Sequence, residues 1–346
     1  MNQVGDTNTA KHEISQNHSG KFQKISRAVG LVLVVVSSIY FVGIIIRYSS
    51  SLPPISWDVS TFLTLVTAAM IYLGAIGIGI LVWYILLKGV GIEAGILETG
   101  TVFTVAQFSK YIPGNVAQHL SRLAISSARG WNAAKVLFTM VIEASWAVLA
   151  SALLAGLALF VIGESTSGWF DELPSIGQII LVAASVLLLV IFAFLGVRYL
   201  LPSVIPSLSD LRQMEFPSIG VLIVCFLLSL FNFLFMGLLV QSLSVGLFGD
   251  GSADFWLLAG IFSVAWITGF LTPGAPAGLG VREAVLVTAL SPIFGSGTAL
   301  GITVAARLVT TIMDGVVFLI GLGVGRAFRI STRADGEPHV LPPAAE

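Results

Sequence analysis

The chain has 346 residues, of which 56% are hydrophobic and only 10% charged, with a formal net charge of −1. A soluble domain carries about 25% charged residues, so this composition excludes a soluble globular fold and implies a polytopic α-helical membrane protein. The near-neutral charge excludes a general basic field for nucleic acid. The single cysteine, Cys225, excludes a disulfide framework or a thiolate metal site.

In chain order, residues 1–24 are polar and read as a disordered tail. Lys21, Lys24 and Arg27 then precede Ala28–Ile46, an uncharged run too long for a signal-peptide core and read as a first, uncleaved span. Roughly 20 apolar residues cross a bilayer as a helix. Val59–Leu87, Ala134–Gly163, Leu173–Val197, Phe216–Gly249 and Gly297–Gly325 meet that requirement and bring the expected spans to six. Residues 330–346 read as a second disordered tail, so 25–329 forms one transmembrane domain.

Two regions are different. Glu98–Ser127 and Asp254–Leu290 are each two shorter apolar arms joined at a Pro-Gly pair, Pro113-Gly114 and Pro273-Gly274. A proline–glycine break inside a membrane leaves backbone groups that must face protein or water. Each region reads either as a re-entrant pair of half-helices or as two short spans. An arginine stands nine residues after each proline, Arg122 and Arg282.

Lys11, Lys21, Lys24, Arg27, Lys88, Arg129, Lys135, Arg198, Arg212, Arg326, Arg329 and Arg333 fall on one side of this threading and Arg47 on the other. The positive-inside rule therefore places both termini in the cytoplasm. The unit of helix, broken pair and helix then occurs twice in opposite directions, over about 59–163 and 216–325. Inverted repeats with broken helices at mid-membrane are transporter architecture.

The intramembrane charges carry the candidate chemistry. Glu143 is about 15 Å into its span at 1.5 Å per residue. Asp314 is similarly deep, and Arg307 lies two turns before it on the same helical face. Each such group costs about 2.5–3.5 kcal/mol or more to insert, so it must face a cavity or a partner. One reading pairs the acids with the arginines structurally. The other has Lys110, Arg122, Arg282 and Arg307 bind an anionic group while Glu143, Glu283 and Asp314 balance charge or couple. Arginine suits phosphate through its planar fork of donors, and half-helix N-termini beside Gly114 and Gly274 would add backbone N–H groups. Lys110 has a second reading, snorkelling to the interface, and His119 reads as a polar lining residue.

The remaining features have plainer readings. Gly91/Gly95 and Gly321/Gly325 are small-residue pairs expected in helix packing. Gly278 and Gly280 belong to the second break. Trp57, Trp83, Trp169 and Trp256 are expected at the membrane interfaces, and Asn232 and Gln241 in interhelical hydrogen bonds. No metal-ligand spacing, catalytic dyad or nucleotide motif is present in the sequence, so no cofactor is expected and transport would be passive or gradient-driven.

Phe108-Ser109-Lys110-Tyr111-Ile112-Pro113-Gly114 with Arg122, Glu143 in the next span, and Pro273-Gly274 leading to Gly278-Leu279-Gly280-Val281-Arg282-Glu283 resemble the lysylphosphatidylglycerol synthase transmembrane-region family. That family includes the flippase half of the multiple peptide resistance factors. The resemblance implies lipid translocation in the cytoplasmic membrane and carries over to Lys110, Pro113, Gly114, Arg122, Glu143, Pro273, Gly274, Gly280, Arg282 and Glu283. The second motif is more proline-rich than the family's expected form. No soluble synthase domain is expected after the last span, so the protein is not expected to be an enzyme. The expected cargo is an anionic phospholipid or a polyprenyl-phosphate-type lipid, with a separate synthase or glycosyltransferase as partner. The alternative is an intramembrane transferase or hydrolase acting on lipid-linked sugars, with Glu143 or Asp314 as its base.

Overall fold

A computed structural model describes residues 52–111, 117–165, 216–272 and 276–334, with isolated positions 39, 43, 46 and 50. Within them lie eight α-helices: α1 (Val59–Gly89), α2 (Ile96–Gln107), α3 (Ala117–Ser127), α4 (Ala133–Ser165), α5 (Ile219–Phe248), α6 (Phe255–Leu271), α7 (Val281–Phe294) and α8 (Ser296–Ala334). Two 3-10 turns, Phe108–Tyr111 and Pro276–Gly278, follow α2 and α6.

Local sequence sets the helix limits. The Asp58 carboxylate accepts the Thr61 N–H at 2.9 Å and caps α1. That bond, with the Ser60 hydroxyl, holds the Asp58 carboxyl below its usual value. Asp254 caps α6 through the Trp256 N–H at 2.8 Å. Helix α5 stops at Gly249, whose φ of 66° is the left-handed conformation glycine adopts without strain.

Four helices are long and apolar enough to cross a membrane: 59–89, 133–158, 219–248 and 296–326. They coincide with four of the expected spans. The expected span 173–197, all of 28–46 but the isolated positions 39, 43 and 46, the tail 1–24, and the break residues Pro113, Gly114, Pro273 and Gly274 lie outside the described residues. Helix α8 runs on to Ala334, past residue 329, where the tail was expected to start; no proline or glycine interrupts the chain between those positions. The arms of the broken regions have 12 and 11 residues in α2 and α3, and 17 and 14 in α6 and α7. Each is shorter than the roughly 20 residues of a full span, and in both regions the two arms pack against one another.

Helices α1 and α5 form the central contact and run antiparallel. The end of α1 at Gly89 lies over Pro217 and Val221, and the end of α5 at Gly246 lies on Thr64. Between them the Asn232 side chain donates to the Ala75 carbonyl at 2.7 Å, the interhelical bond expected of that asparagine. The other contacts come in matching pairs: across the units α4 packs on α6 as α8 packs on α2, and within them α3 packs on α4 as α7 packs on α8. Glycine makes the closest approaches possible. A Cβ at Gly237 would sit 2.6 Å from the Cβ of Ala259, and one at Gly260 would sit 2.7 Å from the Leu154 carbonyl oxygen, so α6 wedges tightly between α4 and α5. Large apolar side chains such as Phe62, Met70, Phe231 and Leu319 remain exposed on α1, α5 and α8, as a lipid-facing surface requires.

Two small features differ from expectation. Gly321 and Gly325 do pack on a neighbour, Thr104 and Thr101 of α2. Gly91 and Gly95 are not a helical pair, because Gly91 adopts a φ of 72° after α1 and Gly95 is the N-cap of α2. Trp57 and Trp256 are exposed at helix starts, but Trp83 is fully buried. It is no interfacial anchor because α2 and α4 cover that end of α1, and its indole N–H donates to Thr139 at 3.2 Å. Trp169 lies outside the described residues.

Candidate functional site

The two 3-10 turns touch at the centre of the molecule. Beside them is a cavity of about 280 Å³ whose wall includes Lys110, His119, Glu143, Arg282, Arg307 and Asp314. Helices from both units therefore contribute charge to one space.

Asp314, on α8 and 1% exposed, is the most heavily bonded of these groups. Its Oδ1 accepts from the Tyr72 hydroxyl at 2.8 Å, and its Oδ2 accepts from the Tyr111 hydroxyl at 2.6 Å. Lys110 Nζ stands 2.7 Å from the same Oδ2. Lys110 thus neither snorkels nor lies free; a carboxylate buried at mid-span needs a cation, and Lys110 supplies it from the opposite unit.

Arg307 was expected on the same helical face as Asp314, with its partner left open; its Nε lies 3.2 Å from Glu283 Oε1. The second Glu283 oxygen accepts the Gly280 N–H at 2.7 Å, which fixes the start of α7. An Arg307 terminal nitrogen donates to the Ala277 carbonyl at 3.4 Å, and its guanidinium stands 5.8 Å from the Tyr111 ring. Arg307 therefore ties the second turn to the first. The Ala277 carbonyl is presented by an unusual backbone, a left-handed alanine with φ 51°. Gly278 beside it, at φ 71°, lies against Gly269 of α6.

The two nine-residue arginines part company. Arg122 is 1% exposed and does not line the cavity. Its guanidinium is held between the Trp83 and Phe103 rings, 4.5 and 4.4 Å from their centroids, and donates to Glu143 Oε2 at 2.5 Å. This geometry fits the structural reading, an arginine paired with an acid, over the anion-binding one: a guanidinium held between two rings and bonded to Glu143 does not face the cavity. Arg282 does line the cavity. It lies over the Phe262 ring at 4.3 Å and has no carboxylate partner among the described residues.

Around this space four basic groups (Lys110, Arg122, Arg282, Arg307) face three carboxylates (Glu143, Glu283, Asp314). With all of them ionised, one positive charge is left over, and among the described residues Arg282 is the one with no carboxylate at ion-pair distance. The rest of the wall is polar on one side and aromatic on another. Gln118 donates to Gln107 at 3.1 Å, and Trp266 stacks on Phe270 at 4.9 Å and 8°. Among the described residues no group of three His, Cys, Asp or Glu side chains is placed to hold a metal ion.

Sequence reasoning did not single out Tyr72, Phe103, Phe262 or Trp266, and it gave Trp83 an interfacial place. Tyr72 had a usable signal, since its hydroxyl stands in an otherwise charge-free span and needs a partner there. The ring clamp on Arg122 had none, because its members are separated along the chain.

Residues 28–317 match the family described as lysylphosphatidylglycerol synthase TM region. The chain belongs to this family. The match takes in both broken pairs and every charged residue of the cavity, so the lysylphosphatidylglycerol synthase TM-region assignment covers the whole candidate site. Membership makes the protein a multi-helical membrane protein with a lipid-related role. No curated protein matches the chain.

Proposed function

We propose that this protein carries an anionic, phosphate-headed lipid between the leaflets of the cytoplasmic membrane. The observation that carries the proposal is Arg282, an arginine that lines the cavity between the two broken helix pairs and has no carboxylate at ion-pair distance among the described residues. An unpaired intramembrane cation is costly unless a ligand completes it. A phosphodiester does so with two parallel hydrogen bonds to the planar guanidinium.

In this reading the broken pairs are re-entrant halves of an inverted repeat. The spans expected at 28–46 and 173–197 bring the total to six, and both termini are cytoplasmic. The antiparallel packing of α1 on α5 and the exchange of neighbours between units support it. The head group docks on Arg282 while the acyl chains stay in lipid. Rocking of one unit against the other then opens the cavity to each leaflet in turn. Arg122 and Glu143 act as a strut, and Lys110, Tyr72 and Tyr111 hold the Asp314 carboxylate. Transport is preferred over a transferase or hydrolase because both candidate bases are already engaged, Glu143 by Arg122 and Asp314 by Lys110. A separate synthase or glycosyltransferase would supply the lipid.

Reconstitution into liposomes with fluorescent phospholipids tests the proposal. The wild-type protein is expected to move anionic lipid across the bilayer, and Arg282→Ala to lose that movement. Equal transport by the two proteins would overturn the assignment of Arg282, and release of a covalent product from a lipid-linked donor would favour the enzyme.

A further inference from the structure

Of the four basic groups around the cavity, three are arginines and Lys110 is the lysine. Arginine keeps its charge in proteins, whereas a lysine withdrawn from water can release a proton. We infer that Lys110 is a proton-exchange site: it gives up its ammonium proton while the cavity is empty and takes one back as an anion enters, so that a proton travels with the cargo. The exchange at Lys110 stands by itself, and its coupling to cargo rests on the transport reading above.

The surroundings of Lys110 carry one positive charge too many. Its Nζ is 2.7 Å from Asp314 Oδ2, and Arg282 of α7 and Arg307 of α8 both act on it electrostatically. These three cations face two carboxylates, Asp314 and Glu283, and Glu283 is engaged by Arg307. A surplus charge in a site of low dielectric is costly, and of the three cations only the lysine can shed it. The other elements packed on this turn do not balance the charge. Helix α2 brings only Glu98, at its opposite end and paired with Arg129. Helix α3 brings His119, and Arg122 already bonded to Glu143. The second turn, Pro276–Gly278, has no ionisable side chain.

The bonds around Asp314 are arranged to survive the loss. The Tyr72 and Tyr111 hydroxyls donate one to each carboxylate oxygen, at 2.8 and 2.6 Å. Both oxygens therefore keep a donor when Lys110 becomes a neutral amine. The amine retains N–H groups for Asp314 Oδ2 and for the Tyr72 oxygen, 3.4 Å away. Lys110 is 18% exposed and fronts the cavity, whereas Asp314 is 1% exposed, so protons reach the pair through the lysine. On release one N–H bond breaks and its electron pair stays on the nitrogen; on return the same bond forms again.

The pair is also placed to act on the fold. Among the described ion pairs, Lys110–Asp314 is the one that joins the two units; the other three lie within a unit. Loss of its charge weakens that join and leaves Asp314 to balance Arg282. An anion arriving at Arg282 reverses the balance and favours the return of the proton. By linkage, the proton raises the affinity for the anion by the same factor.

Reductive methylation with isotope-labelled formaldehyde gives each of the six lysines an NMR signal that reports its charge. In purified full-length protein in neutral detergent, without added lipid, one signal should titrate near neutral pH, below the range of exposed lysines. That signal should vanish in Lys110→Arg, and adding phosphatidylglycerol should return it to its protonated position in the wild type. Lys110→Arg keeps the charge and the pair with Asp314, so its unfolding midpoint should stay close to the wild type. In liposomes a pH gradient should speed wild-type movement of fluorescent phosphatidylglycerol several-fold in the direction the proton runs, and should leave Lys110→Arg indifferent.

Lysine signals that all stay protonated through neutral pH would overturn the inference. So would a Lys110→Arg protein that answers the gradient as the wild type does, and loss of the response in His119→Gln would then place the exchange at His119. The two readings fail separately. A titrating Lys110 with no lipid movement at any pH leaves the proton site and sinks the transport proposal; lipid movement indifferent to the gradient, with every lysine protonated, does the reverse.

Discussion

The two broken helix pairs begin from the same pattern, a Pro-Gly and an arginine nine residues on, and give their arginines opposite fates. In the first unit Arg122 pairs with Glu143, the acid of the helix that follows. In the second, the acid of the following helix is Asp314, and it has been taken by Lys110 of the first unit. Arg282 is left over as a result. Pairing both arginines with their own acids would leave Lys110, not Arg282, as the extra positive charge. The crossing of one lysine from one unit to the other leaves Arg282 with no carboxylate at ion-pair distance among the described residues. In the proposed function the asymmetry would rest on Lys110 as much as on either arginine.

The largest expected effect separates strut from binder. Arg122→Ala removes a sealed guanidinium and strands Glu143. Breaking a buried pair from one side costs about 3–5 kcal/mol, and the lower end applies because Glu143 is 21% exposed at the cavity wall. Thermal unfolding in detergent should show that loss. Arg122→Leu with Glu143→Leu should recover most of it, because well-packed apolar groups replace an ion pair at little cost. A lone Arg122→Ala that unfolds like wild type would put the two arginines back on the same footing.

Arg282→Ala should do the opposite. It removes no ion pair, so the unfolding midpoint should hold or rise, while lipid movement falls at least about tenfold, as expected from losing charge-assisted bonds of about 1.5–3 kcal/mol. A large drop in stability with transport retained would make Arg282 a second strut.

Lys110→Met tests the crossing itself. It frees Asp314, whose carboxylate is then available to neutralise Arg282. Transport should fall several-fold although Arg282 is intact. Lys110→Met with Asp314→Asn removes both charges and should restore it. Failure of the double variant to recover would mean that Lys110 contacts the cargo directly.

Much of this was legible in the sequence, and what was not shares one cause. Composition and long apolar runs revealed the class and the four described spans. The Pro-Gly breaks and nine-residue spacing located both arginines, and depth along the helix marked Glu143 and Asp314. The partners of those charges were not legible, since local spacing carries no information about contacts such as Tyr72 with Asp314, 242 residues apart. Helical periodicity put Arg307 and Asp314 on one face correctly, as both line the cavity. It could not say that Glu283, fixed by capping α7, would reach Arg307 first. Trp83 failed for a related reason: nearness to a helix end suggests an interface only when nothing packs over that end, and here α2 and α4 do.

The smallest expected effect concerns the turn that holds Arg307 against the first unit. Ala277 adopts a left-handed backbone, which costs a non-glycine residue about 1–2 kcal/mol. Its carbonyl accepts from Arg307 there, and Gly278 packs on Gly269 beside it, so the neighbours hold the strain in place. Ala277→Gly keeps the carbonyl and removes the steric penalty, but it also gives the unfolded chain more freedom, worth about 0.4–1 kcal/mol. The net gain should be under about 1 kcal/mol, read as a small rise in unfolding midpoint with binding at Arg282 unchanged. Ala277→Val adds a β-branch in that conformation and should lower the midpoint instead. If both variants loosened lipid binding without moving stability, the turn would be a moving part of the transport cycle rather than a fixed support, and the second broken pair would differ from the first in mobility as well as in charge.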